Sequence, residues 1–170
     1  MVDILKYYAR CNYEINKNMT GIIEKSEKKL YDAPAKGYFK SIGEILEHIV
    51  ITDTMWLKAF KQVRDSSIFE KPVLTKDRKW GERQFDDIDN FKENRNELDK
   101  LIIQYLDEIK EEDMEKIIVR TTKNGDKIEK IFWKSVVHMF NHQTHHRGQI
   151  SEILDELKIE NDYSNMIRID

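Results

Sequence analysis

The sequence predicts an all-α fold, a four-helix bundle with one long crossover connection and a small β-hairpin before the last helix. Three observations support this prediction. Apolar residues recur at helical spacing in four stretches, each about 25 residues long, as on the buried face of an amphipathic helix. Only two prolines and six glycines occur, so few positions interrupt long helices. Hydrophobic residues make up 39% and charged residues 36% of the chain, a balance typical of helix-rich proteins.

Length and charge narrow the class of protein further. The 170 residues fit one domain spanning residues 1–170. The net charge is −3 and the lysines and arginines are scattered, which argues against a nucleic-acid-binding face. No apolar run approaches the roughly 18 residues that a membrane span needs, and the first residues lack the apolar core of a signal peptide. Cys11, the single cysteine, excludes an internal disulfide, lies on an apolar stripe, and suits a reducing cytoplasm.

The first two helices are predicted from periodicity and from one capping motif. Apolar residues at helical spacing predict a first helix over about residues 2–30, followed by a loop over residues 32–37 that contains a proline and a glycine. Ser41 and Glu44 have the spacing of a capping box, which begins a second helix that runs to about Asp65.

The rest of the chain is predicted to hold a crossover, a third helix, a hairpin and a fourth helix. Residues 66–82 are charged and aperiodic, so we expect a long connection that shapes a pocket. An acidic cluster at residues 86–89 begins a third helix ending near Lys110. Lys123-Asn124-Gly125 lies between β-prone runs, a strong hairpin signal, and a helix over residues 132–157 follows.

Four of the five histidines fall within residues 138–146 of the fourth predicted helix. His138, His142 and His146 are spaced i, i+4, i+8, so they lie along one stripe. Side chains four residues apart are about 5–6 Å apart at Cβ, which suits two imidazoles on one metal ion. Eight residues of helix rise about 12 Å, too far for all three. The pair is therefore either His138/His142 or His142/His146, and His48 is a candidate for a third ligand.

This pattern predicts an open metal site held between two helices. Three neutral imidazoles would leave positions free on Zn²⁺, Ni²⁺ or a similar ion for a water, a hydroxide or a substrate thiolate. No glutamate follows His138 as it would in a zincin, and the Glu-x-x-His motifs of di-iron bundles are missing. Two other interpretations stay open: a non-catalytic bundle in which the metal is structural or sensed, and a helical interaction module without metal.

Other polar residues near the histidines give weaker indications. Arg147 could hold an anionic substrate, although a surface ion pair is the favoured interpretation. His138 could orient a ligand or simply pack, and His145 points about 100° away from the stripe. Three carboxylates could supply an acid, a base or an orienting contact, although solvated helix faces carry such residues by default: Glu44, Glu47 and Asp53.

The segment from Asn141 to Gln149, Asn-His-Gln-Thr-His-His-Arg-Gly-Gln, closely resembles a recurring segment of the DinB/YfiT-like family of metalloenzymes. The resemblance extends over nearly the whole chain, with the remaining matches at Trp133, His138, Gly43 through His48, Asp53, Trp56 and Leu57.

The resemblance implies a DinB-like bundle in which His48, His142 and His146 bind one divalent metal ion. Characterised relatives include bacillithiol S-transferases and a mycothiol-dependent isomerase, in which the metal is thought to activate a low-molecular-weight thiol. The resemblance therefore implies a metal-dependent transferase or hydrolase that acts on a small-molecule substrate, with a thiol as a cosubstrate. Because the family is often dimeric, it also implies a homodimer.

Overall fold

The computed structural model describes residues 1–26, 30–121 and 124–169, and four long helices form a bundle in it. The long helices are α1 (Val2–Lys25), α2 (Ile42–Phe60), α4 (Ile88–Glu108) and α5 (Phe132–Glu156), and a one-turn helix, α3 (Pro72–Thr75), lies between α2 and α4. An antiparallel hairpin of β1 (Ile117–Thr121) and β2 (Lys127–Ile131) precedes α5. The predicted all-α bundle with a hairpin before its last helix is confirmed. No helix in the described ranges is long and apolar enough to span a membrane.

Helix directions follow from contacts between helix ends. The amino terminus of Met1 contacts Glu111, just beyond α4, whereas Glu24 at the other end of α1 contacts Lys92 near the start of α4. Helices α1 and α4 are therefore antiparallel. Tyr8 of α1 stacks on Phe140 of α5. Further along both helices, Arg147 of α5 donates to Asn12 and Asn16 of α1, so α1 and α5 are parallel.

The connection between α2 and α4 is the predicted crossover. The end of α2 contacts the end of α4 through Phe60 and Tyr105, and the start of α2 contacts the segment before α4 through Glu47 and Phe85. The two helices are therefore parallel, and residues 61–87 must return along the length of the bundle to connect them. This return brings the last part of the crossover back beside the first turns of α2.

A layer of buried polar side chains crosses the bundle and includes all four long helices. Arg95 of α4 donates to Asp53 of α2 at 2.6 Å and to Asp99 one turn further along α4. Asn16 of α1 donates to Asp99 at 3.0 Å and accepts a hydrogen bond from Arg147 of α5 at 3.1 Å. Because buried polar groups are costly without partners, this layer favours one rotation of each helix about its axis.

Helix α2 ends at Phe60, five residues before the predicted end, and the reason is tertiary. After Phe60 the chain turns, so that Val63 is buried and Arg64 donates to the carboxylate of Asp113 at 2.8 Å. Helix α1 ends at Lys25, and residues 27–29, at the predicted end of this helix, lie outside the described residues.

The hairpin strands are joined through residues 122–126, and Gly125 has a φ of +88°, a conformation that glycine adopts without strain. Residue 122, at the end of the first predicted β-prone run, and residue 123, the first of the predicted turn, lie outside the described residues. As expected for so small a sheet, the hairpin packs on the helices: Ile118 is buried, and the Gln62 side chain bonds both the N–H and the C=O of Val119 at 3.0 Å.

Candidate metal centre

Three histidines from α2 and α5 converge between the two helices. Because these helices are antiparallel, His48 of α2 faces His142 and His146 of α5. Nε2 of His142 lies 3.0 Å from Nε2 of His48 and 3.0 Å from Nε2 of His146. One nitrogen from each ring lies within 4.8 Å of the others. Spacing left the partner of His142 open between His138 and His146, and the fold brings His146 to it.

The arrangement of nitrogens fits a common divalent ion. Two nitrogens about 2.0–2.1 Å from one ion lie about 2.8–3.4 Å apart when the angle between them is about 90–109°. Hydrogen bonds between the rings satisfy this arrangement poorly, because each imidazole nitrogen has in its ring plane either one proton or one lone pair. Nε2 of His142 therefore forms at most one good hydrogen bond with the two nitrogens facing it. A cation between the rings would use all three lone pairs.

All three rings are held in the neutral form that binds metals. Burial lowers the pKa of His48 to about 4, and the nearby His146 contributes. Burial, followed by the charges of His146 and His48, lowers the pKa of His142 to about 3. Burial also lowers the pKa of His146, against an opposing hydrogen bond from its Nδ1. At neutral pH each ring thus keeps a lone pair.

Gln149 fixes which nitrogen of His146 carries the proton. Its Oε1 lies 2.7 Å from Nδ1 of His146, one turn back on α5. The amide oxygen only accepts, so Nδ1–H donates and the lone pair is on Nε2, which faces the other two histidines. This role of Gln149 was not predicted, although its i+3 spacing from His146 is the signal that indicates such a contact.

The remaining histidines lie outside this group. His138 is exposed, with its ring centroid 6.4 Å from that of His142 and 5.4 Å from that of Trp56. His145 is exposed beside His146, as expected. In the described part of the chain, no further histidine, cysteine or carboxylate joins the three rings, and Cys11 is buried in the core as predicted.

The three candidate carboxylates are engaged in holding the fold. Glu44 accepts from the N–H of Lys40 at 2.8 Å, at the start of α2. Glu47 accepts from the hydroxyl of Tyr31 at 2.7 Å and from two N–H groups at the end of the crossover. Asp53 is fully buried in the polar layer, where burial raises its pKa to about 7 against the opposing effect of Arg95. None of these contacts involves a histidine of the group.

Arg147 has neither of the roles that its sequence position suggested. It is only 5% exposed and donates to the side-chain oxygens of Asn12, Asn16, Gln143 and Thr144, all neutral groups. The favoured interpretation, a surface ion pair, is therefore wrong. Arg147 belongs to the polar layer that orients α5, and its distance from its α1 partners along the chain explains why spacing gave no sign of this.

Two aromatic rings from loops flank the histidines. The Phe39 ring lies 4.9 Å from the His48 ring and 5.5 Å from the His146 ring, and the Trp80 indole lies 5.0 Å from His48. Both rings line a cavity of about 540 Å³ that reaches His48. The crossover thus contributes to a pocket beside the histidines, as expected, but the individual rings lie in aperiodic segments and were missed.

Comparisons with curated proteins and with solved structures gave no match. A comparison with family models did give one: the model described as the DinB family matches residues 1–160. The match includes all four long helices, the hairpin and the three convergent histidines. On this evidence the chain belongs to the DinB family.

Proposed function

We propose that the protein is a metal-dependent enzyme in which His48, His142 and His146 hold one divalent ion, Zn²⁺, Ni²⁺ or similar. The observation that carries the proposal is the convergence of three neutral imidazole nitrogens, joined by no fourth ligand in the described ranges. Structural zinc sites use four protein ligands, whereas catalytic sites leave a position for water or substrate. An ion bound in this way supplies Lewis acidity that lowers the pKa of a thiol or water at its open position.

The residues around the histidines would prepare the site for a thiol or a water. Gln149 holds His146 in the tautomer that presents Nε2. Phe39 and Trp80 place aromatic rings beside His48, at 4.9 and 5.0 Å between ring centroids, and so give this side of the site an apolar lining. No carboxylate joins the three rings in the described chain, and Glu44, Glu47 and Asp53 are engaged elsewhere. A thiol is therefore the favoured nucleophile, since its lower pKa makes a separate base less necessary than for water.

The metal content of tag-free protein tests the first part of the proposal. After reconstitution with zinc or nickel, mass spectrometry should find about one equivalent per chain in the wild type, as expected for a three-histidine site. His48→Ala and His142→Ala should each lose the ion. His145→Ala is the matched control, because this exposed histidine adjoins the site without facing it, and its metal content should equal that of the wild type. A wild type that binds no metal after reconstitution would overturn the proposal.

Cobalt-substituted protein distinguishes an enzyme from a bundle with a structural metal. Titration with 2-mercaptoethanol should produce a sulfur-to-cobalt charge-transfer band, because the open position accepts a thiolate. A spectrum unchanged by the thiol, with cobalt bound, would favour the non-catalytic alternative. The cytoplasmic location and the homodimer stay predictions.

A further inference from the structure

We propose that the cavity beside His48 binds the second substrate, the thiol's acceptor, through a flat apolar group that is uncharged or cationic. This inference rests on the proposed function, because it assigns the electrophile that the activated thiol would attack: the sulfur would bond to its carbon, the leaving group would depart with its electron pair, and the thiol proton would pass to solvent. The cavity of about 540 Å³ is in the range of small-molecule sites. It lies between the loop before α2, the first turns of α2 and the end of the crossover.

The aromatic walls favour a flat group. Phe39 and Trp80 come from different loops, yet each ring lies about 5 Å from the His48 ring, at 4.9 and 5.0 Å. Tyr38, which packs edge-on against Phe39, is 88% exposed, and Trp80 is 47% exposed. Large aromatic surfaces left open around a concave site are typical of ligand-binding positions. Rings in such positions stack on planar groups and on cations.

The charges of the lining disfavour an anion. Among the described residues that line the cavity, Arg83 is the sole arginine or lysine, against Glu44, Glu47 and Glu82. Arg83 is already engaged: it donates to Asp32 at 2.7 Å and to two backbone carbonyls, of Phe85 and Asp86. Lys79 lies 3.9 Å from Glu82 and offsets part of its charge. An anionic group entering the cavity would still meet more carboxylates than cations, whereas a cation would be attracted to the same carboxylates.

The cavity adjoins the three convergent histidines. His48 is both a lining residue and one of the three convergent histidines. A flat group stacked on Trp80 would therefore place its reactive atom near the open side of the site. A thiol would approach from the side on which His142 is partly exposed. The crossover then selects the acceptor, while the two helices hold the ion.

Three naphthalene probes of equal ring size test the charge preference: 1-naphthylmethylammonium, 1-naphthalenemethanol and 1-naphthalenesulfonate. Sulfonate is chosen as the anion because it is a poor metal ligand. Binding is measured by calorimetry on the full chain, with and without added zinc. The ammonium and the alcohol should bind, and the sulfonate should bind at least about tenfold more weakly. Replacing Glu44 and Glu82 together by glutamine should reduce the difference in affinity between the sulfonate and the other two probes.

Trp80→Ala tests the stacking. The variant should bind the ammonium and the alcohol with an affinity that is lower by about tenfold or more, because the indole supplies one wall of the cavity. Trp80→Phe should restore most of the affinity. Trp133→Ala is the matched control: this tryptophan lies on α5 away from the cavity, and its loss should leave probe binding unchanged. Because Trp80 is half exposed, its truncation leaves the core intact.

The outcomes separate this inference from the proposed function. Equal affinity for all three probes, or full affinity in Trp80→Ala, would overturn the inference even if metal content and thiol binding are as proposed. Failure to bind metal, with probe binding still dependent on Trp80, would overturn the proposed function and with it the role of the cavity as an acceptor site.

Discussion

Gln149 is the residue on which metal affinity should depend most after the three histidines. Its Oε1 accepts the Nδ1 proton of His146 at 2.7 Å. Without this acceptor the ring is free to rotate and to change tautomer. We predict that Gln149→Ala lowers metal affinity by about 10- to 100-fold, the usual effect of removing a partner that orients a ligand. Competition with a chromogenic chelator measures the change.

Two further variants make this prediction specific. Gln149→Glu keeps an acceptor at the same position and should retain most of the affinity. Gln104→Ala removes a glutamine on α4 that donates to the exposed Glu108, and the metal affinity of this variant should equal that of the wild type. If Gln149→Ala binds metal as tightly as Gln104→Ala, the orienting role is wrong.

For single residues, the sequence predicted those positions that depend on spacing within one helix. The four-residue period brought His142 and His146 to one stripe and limited the pair to two alternatives. Residues that act across the chain were not predictable in this way. Arg147 looked like a surface residue because its partners on α1 precede it by more than 130 residues. Trp80 lies in an aperiodic segment, where no pattern indicates the direction of a side chain.

Asp113 joins three elements through one buried carboxylate. It accepts hydrogen bonds from the N–H of Lys110, from the guanidinium of Arg64 and from Lys116, at 2.7–3.0 Å. Burial alone would raise the pKa of Asp113, but these hydrogen bonds outweigh it and lower the pKa to about 2. The turn after α2, the end of α4 and the hairpin are thereby fixed to one another.

We predict that Asp113→Asn lowers the free energy of unfolding by about 2 kcal/mol at pH 7, because hydrogen bonds to a charged group are lost. Since the pKa is lower in the folded state, the carboxylate contributes its full stabilisation above the unfolded pKa of about 4 and loses it as the pH falls towards 2. The difference between variant and wild type should therefore shrink over this range. Urea unfolding at a series of pH values measures it.

Asp107→Asn is the control for the stability change in Asp113→Asn. Asp107 pairs with Arg10 on the surface and is 42% exposed, so its loss should change stability little at any pH. A difference for Asp113→Asn that stays constant from pH 7 to pH 3 would contradict the assigned role of the charge.

Helix types and approximate positions were predictable from local pattern, whereas some ends were not. The capping residue Ser41 and the acidic start of α4 are local signals, and both helices begin where these signals indicate. Helix α2 ends early because Arg64 turns towards Asp113, a residue 49 positions away. A contact of this kind leaves no trace in periodicity.

For the whole molecule, the proposed ion would join two helices that are distant in sequence. His48 and His142 are 94 residues apart, so the unfolded chain does not hold them together. A ligand that binds only the folded state stabilises it by about 2.7 kcal/mol at a free concentration of 100 times the Kd. We predict that the unfolding temperature rises with zinc concentration, by several degrees for a chain of about this size.

The effect should depend on the three histidines alone. In His142→Gln the unfolding temperature should no longer respond to zinc, whereas in His145→Gln it should respond as in the wild type, because His145 faces away from the group. Equal zinc responses in both variants would mean that the stabilisation arises at another place on the chain.

The crossover has a consequence for how proteins of this design can diverge. The three convergent histidines lie on two long helices, whereas Trp80, which lines the cavity proposed to bind the acceptor, belongs to a surface connection. Lengthening such a connection costs little, about 0.6 kcal/mol for each doubling of its length. Insertions or substitutions around Trp80 could therefore give the same reactive centre a new choice of substrate, while the bundle folds as before.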